Sequence, residues 1–243
     1  MRIVAIVALA AMAAVNAHSA LAEEPRLVPF IADYDVKYGN LSAGSSRTEL
    51  RRASLPGQWQ FESRTKASGL ARLIMGGTIV QQSIFQLEAG DLQPLSYRYD
   101  DGEKGSEGNV SLDFDWAAGR VKGISKAAAA DIEVEAGLQD AASMQALVLL
   151  RLNSGVEPGL IAMIEKDEIK YYRHTLLRRE RLKTALGVLD TVVYRSARDG
   201  SSREMLLWYA PALGNVTVQA VQQRRRDGKK LLNLSIKSYR PGS

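Results

Sequence analysis

From Arg203 the chain reads REMLLWYAPALGNVTVQAVQQRRRDGKKLLNLSIKSYR, and few folds accommodate such an ending. Met205, Leu207 and Tyr209 fall on one side of an extended run, and Leu206, Trp208 and Ala210 on the other. Pro211 has no N–H to give a ladder and stops the run; Gly214 turns the chain, and Val216, Val218 and Ala220 alternate again. Asp227-Gly228 is a strong hairpin signal, and Leu232, Leu234 and Ile236 share one face of a closing strand. Strands this explicit need partners, because an unpaired edge exposes a row of N–H and C=O groups.

Those partners are legible upstream. Phe30, Ala32, Tyr34, Val36 and Tyr38 alternate with Ile31, Asp33, Asp35 and Lys37. Trp59, Phe61 and Ser63 repeat the pattern, and Val110, Leu112, Phe114 and Trp116 form the clearest apolar stripe. Ile79–Leu87, Leu95–Tyr99 and Thr191–Arg195 also read as strands, with turns at Pro56-Gly57, Asp101-Gly102 and Asp199-Gly200, while the interruption at Gly39-Asn40 and Gly44 fits a hairpin or a bulged long strand equally well. Ile169–Leu177 reads as one strand and Glu180–Lys183 as the start of its partner, while Lys126–Glu135 reads as a loop or weak strand.

Helical periodicity is clear only over 140–152. Asp140 is placed to cap it, Met144, Leu147, Val148 and Leu150 supply the packing, and Asn153-Ser154-Gly155 ends it. Ala67–Ile74 has room for one or two further helical turns. The expected fold is mainly β: a single curved antiparallel sheet, a half-barrel with one longer and one short helix on its concave side. Two facing sheets are the alternative, but a sandwich core has no natural place for helix 140–152.

The chain opens Met1-Arg2 and runs apolar from Ile3 to Val15, ending in Ala20-Leu21-Ala22. A basic start, a short apolar core and small residues two apart describe a cleaved signal peptide over residues 1–22. The run is short of the ~20 residues that a bilayer core requires. Removing these 22 of the 243 residues leaves 221, a size that one β-rich domain, 23–243, fills. Loss of Arg2 lowers the formal charge from +5 to +4, an excess that suits anionic envelope polymers or lipid headgroups. Export to the periplasm agrees with the absence of cysteine, and it argues against nucleic acid as a partner. The mature chain has no membrane-spanning segment.

Without cysteine there is no thiol nucleophile, iron–sulfur site or cysteine zinc site, and no cofactor or metal is implied. His174 is the only histidine after residue 22, and reads as a structural or surface side chain. No G-x-S-x-G elbow or phosphate-binding glycine loop is present. Asp33 with Asp35, and Asp113 with Asp115, are the acid pairs a glycan hydrolase would use. Strand periodicity places the same residues on a solvated face without any function.

One long helix and one short one cannot cover a whole curved sheet. The uncovered part becomes a groove for a lipid-like or amphipathic ligand, with Tyr34, Phe61, Phe114, Trp116, Met144 and Leu147 as candidate lining. Arg178, Arg179 and Arg181 are the candidate rim for an anionic headgroup.

The opening PFIADYDVKYGNLSAGSS resembles that of the exported bacterial proteins grouped as domain of unknown function 3108. Asp91-Leu92-Gln93-Pro94 with Tyr97, Gln139-Asp140 with Ser143, Leu186–Val192, Arg203–Val218 and Lys229–Tyr239 follow that family's pattern in order. Leu213-Gly214-Asn215-Val216 departs from it, lacking the proline common at that turn. The resemblance implies a half-barrel similar to that of periplasmic lipoprotein carriers, and it supplies no catalytic residues. The expected function is therefore non-enzymatic binding of a lipid or amphipathic envelope component. A structural module that docks an envelope protein is the alternative, and a hydrolase using the paired aspartates the third. N-terminal sequencing of protein matured in its own cell is expected to begin at Glu23, or at Leu21 if cleavage follows Ala20; a retained Met1 on membrane-bound protein would contradict the export reading.

Overall fold

The structure, a computed structural model, describes residues 27–69, 77–88, 91–165 and 167–242. Among them the chain forms one 14-stranded antiparallel sheet. Eight strands run as a meander: β1 (Phe30–Tyr38), β2 (Leu41–Arg52), β3 (Gln58–Ala67), β4 (Thr78–Glu88), β5 (Asp91–Asp100), β6 (Val110–Asp115), β7 (Arg120–Ser125) and β8 (Ala128–Glu133). Helix α1 (Ser143–Asn153) follows. A second meander comprises β9 (Leu160–Glu165), β10 (Glu168–Thr184), β11 (Gly187–Arg198), β12 (Arg203–Ala210), β13 (Val216–Arg224) and β14 (Lys230–Pro241). The two halves join where β1 pairs with β14, Phe30 opposite Pro241 and Tyr38 opposite Leu232. The first and last strands thus meet in mid-sheet, and β8 and β9 are its edges.

Local chemistry accounts for the turns. Gly228 takes a φ of +66° in the β13–β14 connection, where Asp227 Oδ1 accepts the Lys229 N–H at 3.1 Å. Gly44 lies opposite Val36, where the β1–β2 register shifts. A Cβ there would run into the Lys66 carbonyl oxygen on β3, so only glycine fits. At Gly39-Asn40 the chain makes a hairpin, with Tyr38 opposite Leu41 in the antiparallel β1–β2 pair, and not a bulge in one long strand.

The second half differs from the sequence expectation at β10. Ile169–Leu177 and Glu180–Lys183 are not two strands but parts of a single 17-residue one, which turns only after Thr184. A register shift between Leu176 and Arg178 absorbs the irregularity there. The ambiguous alanine-rich run is strand β8, paired along β7. The regular part of α1 begins at Ser143, but the Met144 N–H already donates to the Asp140 carbonyl at 2.9 Å, and Asp140 caps the helix as expected. The short helix expected over Ala67–Ile74 lies mostly outside the described residues. The other short helical element among those described is a 3₁₀ turn at Pro211–Leu213.

Inward-facing residues of both meanders form a continuous core that includes Phe30, Leu50, Phe61, Phe85, Leu92, Leu112, Val193 and Tyr209. Trp208 is buried, with Arg178 stacked over its ring at 5.8 Å and its Nε1–H donating to Glu180. The sheet curls strongly enough to bring β10 to within 8 Å of β14, although three strands lie between them in the ladder. It remains open and does not close into a barrel. Gln139, just ahead of α1, partly covers the β9 edge, donating its N–H to the Ala162 carbonyl and accepting the Ile164 N–H, each at 2.9 Å.

Candidate functional site

The run Leu147–Leu150 is buried along its whole length, which means α1 is enclosed on several sides, not laid over the sheet as an amphipathic lid. Both ends are fixed. At the entry Asp140 Oδ1 accepts the backbone N–H groups of Ala142 and Ser143, each at 2.8 Å, and the Ser143 hydroxyl accepts the Asp140 N–H at 2.9 Å. This is a reciprocal capping arrangement. The other carboxylate oxygen accepts the Ser83 hydroxyl at 2.6 Å, tying the helix start to β4. Gln139 Nε2 donates to the Leu92 carbonyl on β5 at 3.0 Å. At the exit Gly155 is left-handed, its N–H bonds to the Leu152 carbonyl and that of Val156 to the Arg151 carbonyl, a Schellman closure.

Between α1 and the sheet lies a cavity of about 430 Å³. The helix contributes Met144, Gln145, Val148 and Leu149. Strands β1 to β4 form a wall that is mixed in character: Tyr34 and Phe61 beside the polar group Ser46, Thr48, Ser63, Thr65 and Gln81. The ladder explains the grouping, since Ser46 pairs with Thr65, Thr48 with Ser63, and Ser63 with Gln81. Ser46 Oγ lies 2.9 Å from Thr65 Oγ1, so part of the hydroxyl wall satisfies itself. The opposite wall, from β12 to β14, is mostly apolar, with Met205, Leu207, Leu232 and Leu234. Tyr34 spans the two, its hydroxyl donating to the Thr217 carbonyl at 2.8 Å. Among the described residues, no Asp, Glu, Lys or Arg lines the cavity.

Of the six residues proposed from sequence as lining, Tyr34, Phe61 and Met144 surround this space. Leu147 is turned into packed core at 1% exposure. Phe114 and Trp116 stack on each other at 6.3 Å, with Trp116 Nε1 donating to the Pro94 carbonyl, and they do not border the cavity. Arg178 pairs with Glu180 at 2.8 Å and Arg181 with Asp190 at 3.8 Å. Arg179 and Arg181 border a separate depression of about 350 Å³ that shares no residue with the central cavity. The aspartates weighed for hydrolysis face outward. Asp33 pairs with Arg47, Asp113 with Arg98 and Asp35 with Lys237, and Asp115 accepts the Ala118 N–H. Among the described residues no group of three or more His, Cys, Asp or Glu is placed to hold a metal ion.

His174, read from sequence as structural or surface, is 5% exposed and lines the cavity. Burial pushes its imidazole down to about 4, and the carbonyls of Gly159 and Tyr172 offset this only in part. Asp140 moves the other way: burial raises its carboxyl to about 6 despite the bonds from Ser83, Ser143 and Ala142. The carboxylates of Asp33 and Glu180 are held below their usual range, chiefly by hydrogen bonds from Arg47 and Arg178.

A curved antiparallel sheet cupping one helix over an uncharged cavity describes a general type of fold. The chain belongs to the family described as protein of unknown function (DUF3108), whose model matches residues 33–234. No curated protein matches it. Among solved structures, a candidate lipoprotein from Parabacteroides distasonis ATCC 8503 aligns at 9% identity and a TM-score of 0.38, over 89% of this chain and 97% of that one. A candidate exported protein with a YmcC-like fold from Bacteroides fragilis NCTC 9343 aligns at 7% and 0.38 over the same shares. The MucA/MucB complex of Pseudomonas aeruginosa aligns at 10% and 0.37, over 92% of this chain and 55% of that one.

The two buried titrating groups have opposite effects on stability. Asp140, raised on folding, binds more protons in the native than in the unfolded chain between its ordinary value and about 6, so its contribution falls as pH rises through that window. His174, lowered to about 4, binds more protons when unfolded, so its contribution is lost as pH falls from the ordinary histidine range. Each shift corresponds to about 3 kcal/mol, and the two nearly cancel in the wild type. Urea unfolding from pH 4 to 7 is therefore expected to show Asp140→Asn gaining stability relative to wild type as pH rises, and His174→Gln losing it. Parallel curves for wild type and either variant would contradict the burial of that group.

Proposed function

We propose that this is an exported, non-enzymatic binding protein of the bacterial envelope, taking the apolar part of a lipid-like or amphipathic molecule between α1 and the sheet. The observation that carries the reading is the central cavity, whose about 430 Å³ falls in the size range of small-molecule sites. Export is supported by the character of residues 1–22. The described residues include no helix long and apolar enough to cross a membrane. A binding role is favoured over hydrolysis because the aspartates of β1 and β6 point away from the cavity into ion pairs and a turn.

The lining chemistry restricts what enters. An ion placed there would lose its hydration without gaining a counter-charge, which costs several kcal/mol, so the enclosed part of the ligand is uncharged. An alkyl chain gains about 0.8 kcal/mol per CH₂ withdrawn from water. Eight such groups give ~6 kcal/mol before ordering costs, short of the ~8 kcal/mol of micromolar binding. Hydroxyls on the β2–β3 wall add contacts for an ester, ether or alcohol oxygen along the chain.

Decanol displacing a fluorescent apolar probe is expected to do so saturably. Met144→Trp, which fills the helix side of the cavity, is expected to weaken displacement about tenfold with the melting transition kept, the scale of ~1.4 kcal/mol. Absence of saturable binding, or equal binding by the variant, would overturn the proposal.

A further inference from the structure

An amphipathic ligand has a polar end, and a polar pocket adjoins the central cavity. It measures about 490 Å³ and lies at the β11–β12 hairpin, with Glu165, Arg198, Ser201, Ser202, Arg203 and Glu204 around it. Tyr172, Ser196 and Met205 line both spaces, so a single layer of side chains parts them. No such shared wall links the cavity to the depression beside Arg179 and Arg181.

Most charges in the pocket are engaged. Glu165 accepts the Tyr172 hydroxyl at 3.1 Å and lies 3.4 Å from Arg198 Nε. Glu204 Oε1 accepts the Gln223 amide at 2.8 Å. Arg203 differs: its guanidinium has no carboxylate within ion-pairing distance among the described residues, while its backbone N–H is anchored on the Ser201 hydroxyl at 3.1 Å. Arg225 Nη1 donates to the Ser201 carbonyl at 3.3 Å and brings a second guanidinium to the same loop. Of the four charged side chains that line the pocket, Arg203 is thus the one whose charged group has no hydrogen bond or ion pair among the described residues, and a single layer of side chains separates it from the cavity lined by Leu207, Leu232 and Leu234.

We propose that this pocket binds an anionic oxygen group, a phosphate or carboxylate, at the head of the molecule whose apolar part fills the central cavity, with Arg203 as counter-ion. The inference rests on the cavity reading above. A guanidinium presents several N–H groups in a plane and matches either oxyanion. A charge-assisted contact there would add to the affinity that a short chain supplies.

Calorimetric titration of wild type, Arg203→Glu and Arg203→Lys with decanol, decyl phosphate, decyltrimethylammonium and inorganic phosphate tests it. Wild type is expected to bind decyl phosphate about tenfold more tightly than decanol, the scale of a charge-assisted contact, with the advantage shrinking as salt is raised. Arg203→Glu is expected to lose the advantage and Arg203→Lys to keep most of it, with decanol affinity equal in all three. Inorganic phosphate is expected to bind far more weakly than decyl phosphate. Decanol binding with no phosphate advantage, an advantage kept in Arg203→Glu, or a preference for decyltrimethylammonium would overturn the headgroup assignment alone. Inorganic phosphate binding as tightly as decyl phosphate would make this a free-anion site and overturn it too. Failure of decanol to bind would overturn the cavity reading and this one with it.

Discussion

A mismatch between one helix and the sheet that cups it governs this structure. Fourteen strands at ~4.8 Å spacing span ~62 Å, whereas an α-helix with its side chains is only ~10 Å across, enough to cover about two strands. The rest of the concave face has to meet something else or remain in contact with solvent. Curvature solves part of the problem by bringing β10 back toward β14, so that inner faces of the same sheet approach each other. The central cavity is what neither the helix nor the curl fills.

That residue of space persists because the helix is held where it is. Asp140 serves as cap and as anchor, joining the first turn of α1 to Ser83 on β4, and Gln139 fastens the preceding residue to β5 and β9. A buried carboxyl is an expensive anchor, as its upward shift to about 6 shows. An apolar packing contact would hold the helix as firmly but would not fix its first N–H groups in direction. With α1 fixed, Met144 and Val148 face a volume they cannot close, and the Ser/Thr wall of β2 and β3 faces the same volume.

Much of the fold was legible in the residues. Alternation marked β1, β3, β6 and the C-terminal strands, and Asp-Gly marked the β11–β12 and β13–β14 hairpins, because turn chemistry and period-two burial are local properties. The 17-residue β10 was not legible: Arg178-Arg179 looks like a solvated turn, and only pairing with β11 shows that the ladder runs through it. The site was less legible than the fold. Phe114 and Trp116 have the same strand signature as Tyr34 and Phe61, but β6 lies five strands from β1 and its aromatics stack on each other. Ser46, Ser63, Thr65 and Gln81 carry no apolar signal, so their inward placement depends on a register that sequence does not specify. Arg203 was likewise hidden, since a run of arginines draws the eye while a single one at a hairpin does not.

The most direct test of the central cavity uses the methionines as reporters. Met144 and Met205 line it from the helix and from β12, while Met163 is buried in β9 outside it. In methyl-labelled protein titrated with decanol, the Met144 and Met205 resonances are predicted to shift together along one saturating curve, with Met163 unmoved. Equal shifts at all three, or none at Met144 and Met205, would contradict a ligand-accessible space between helix and sheet.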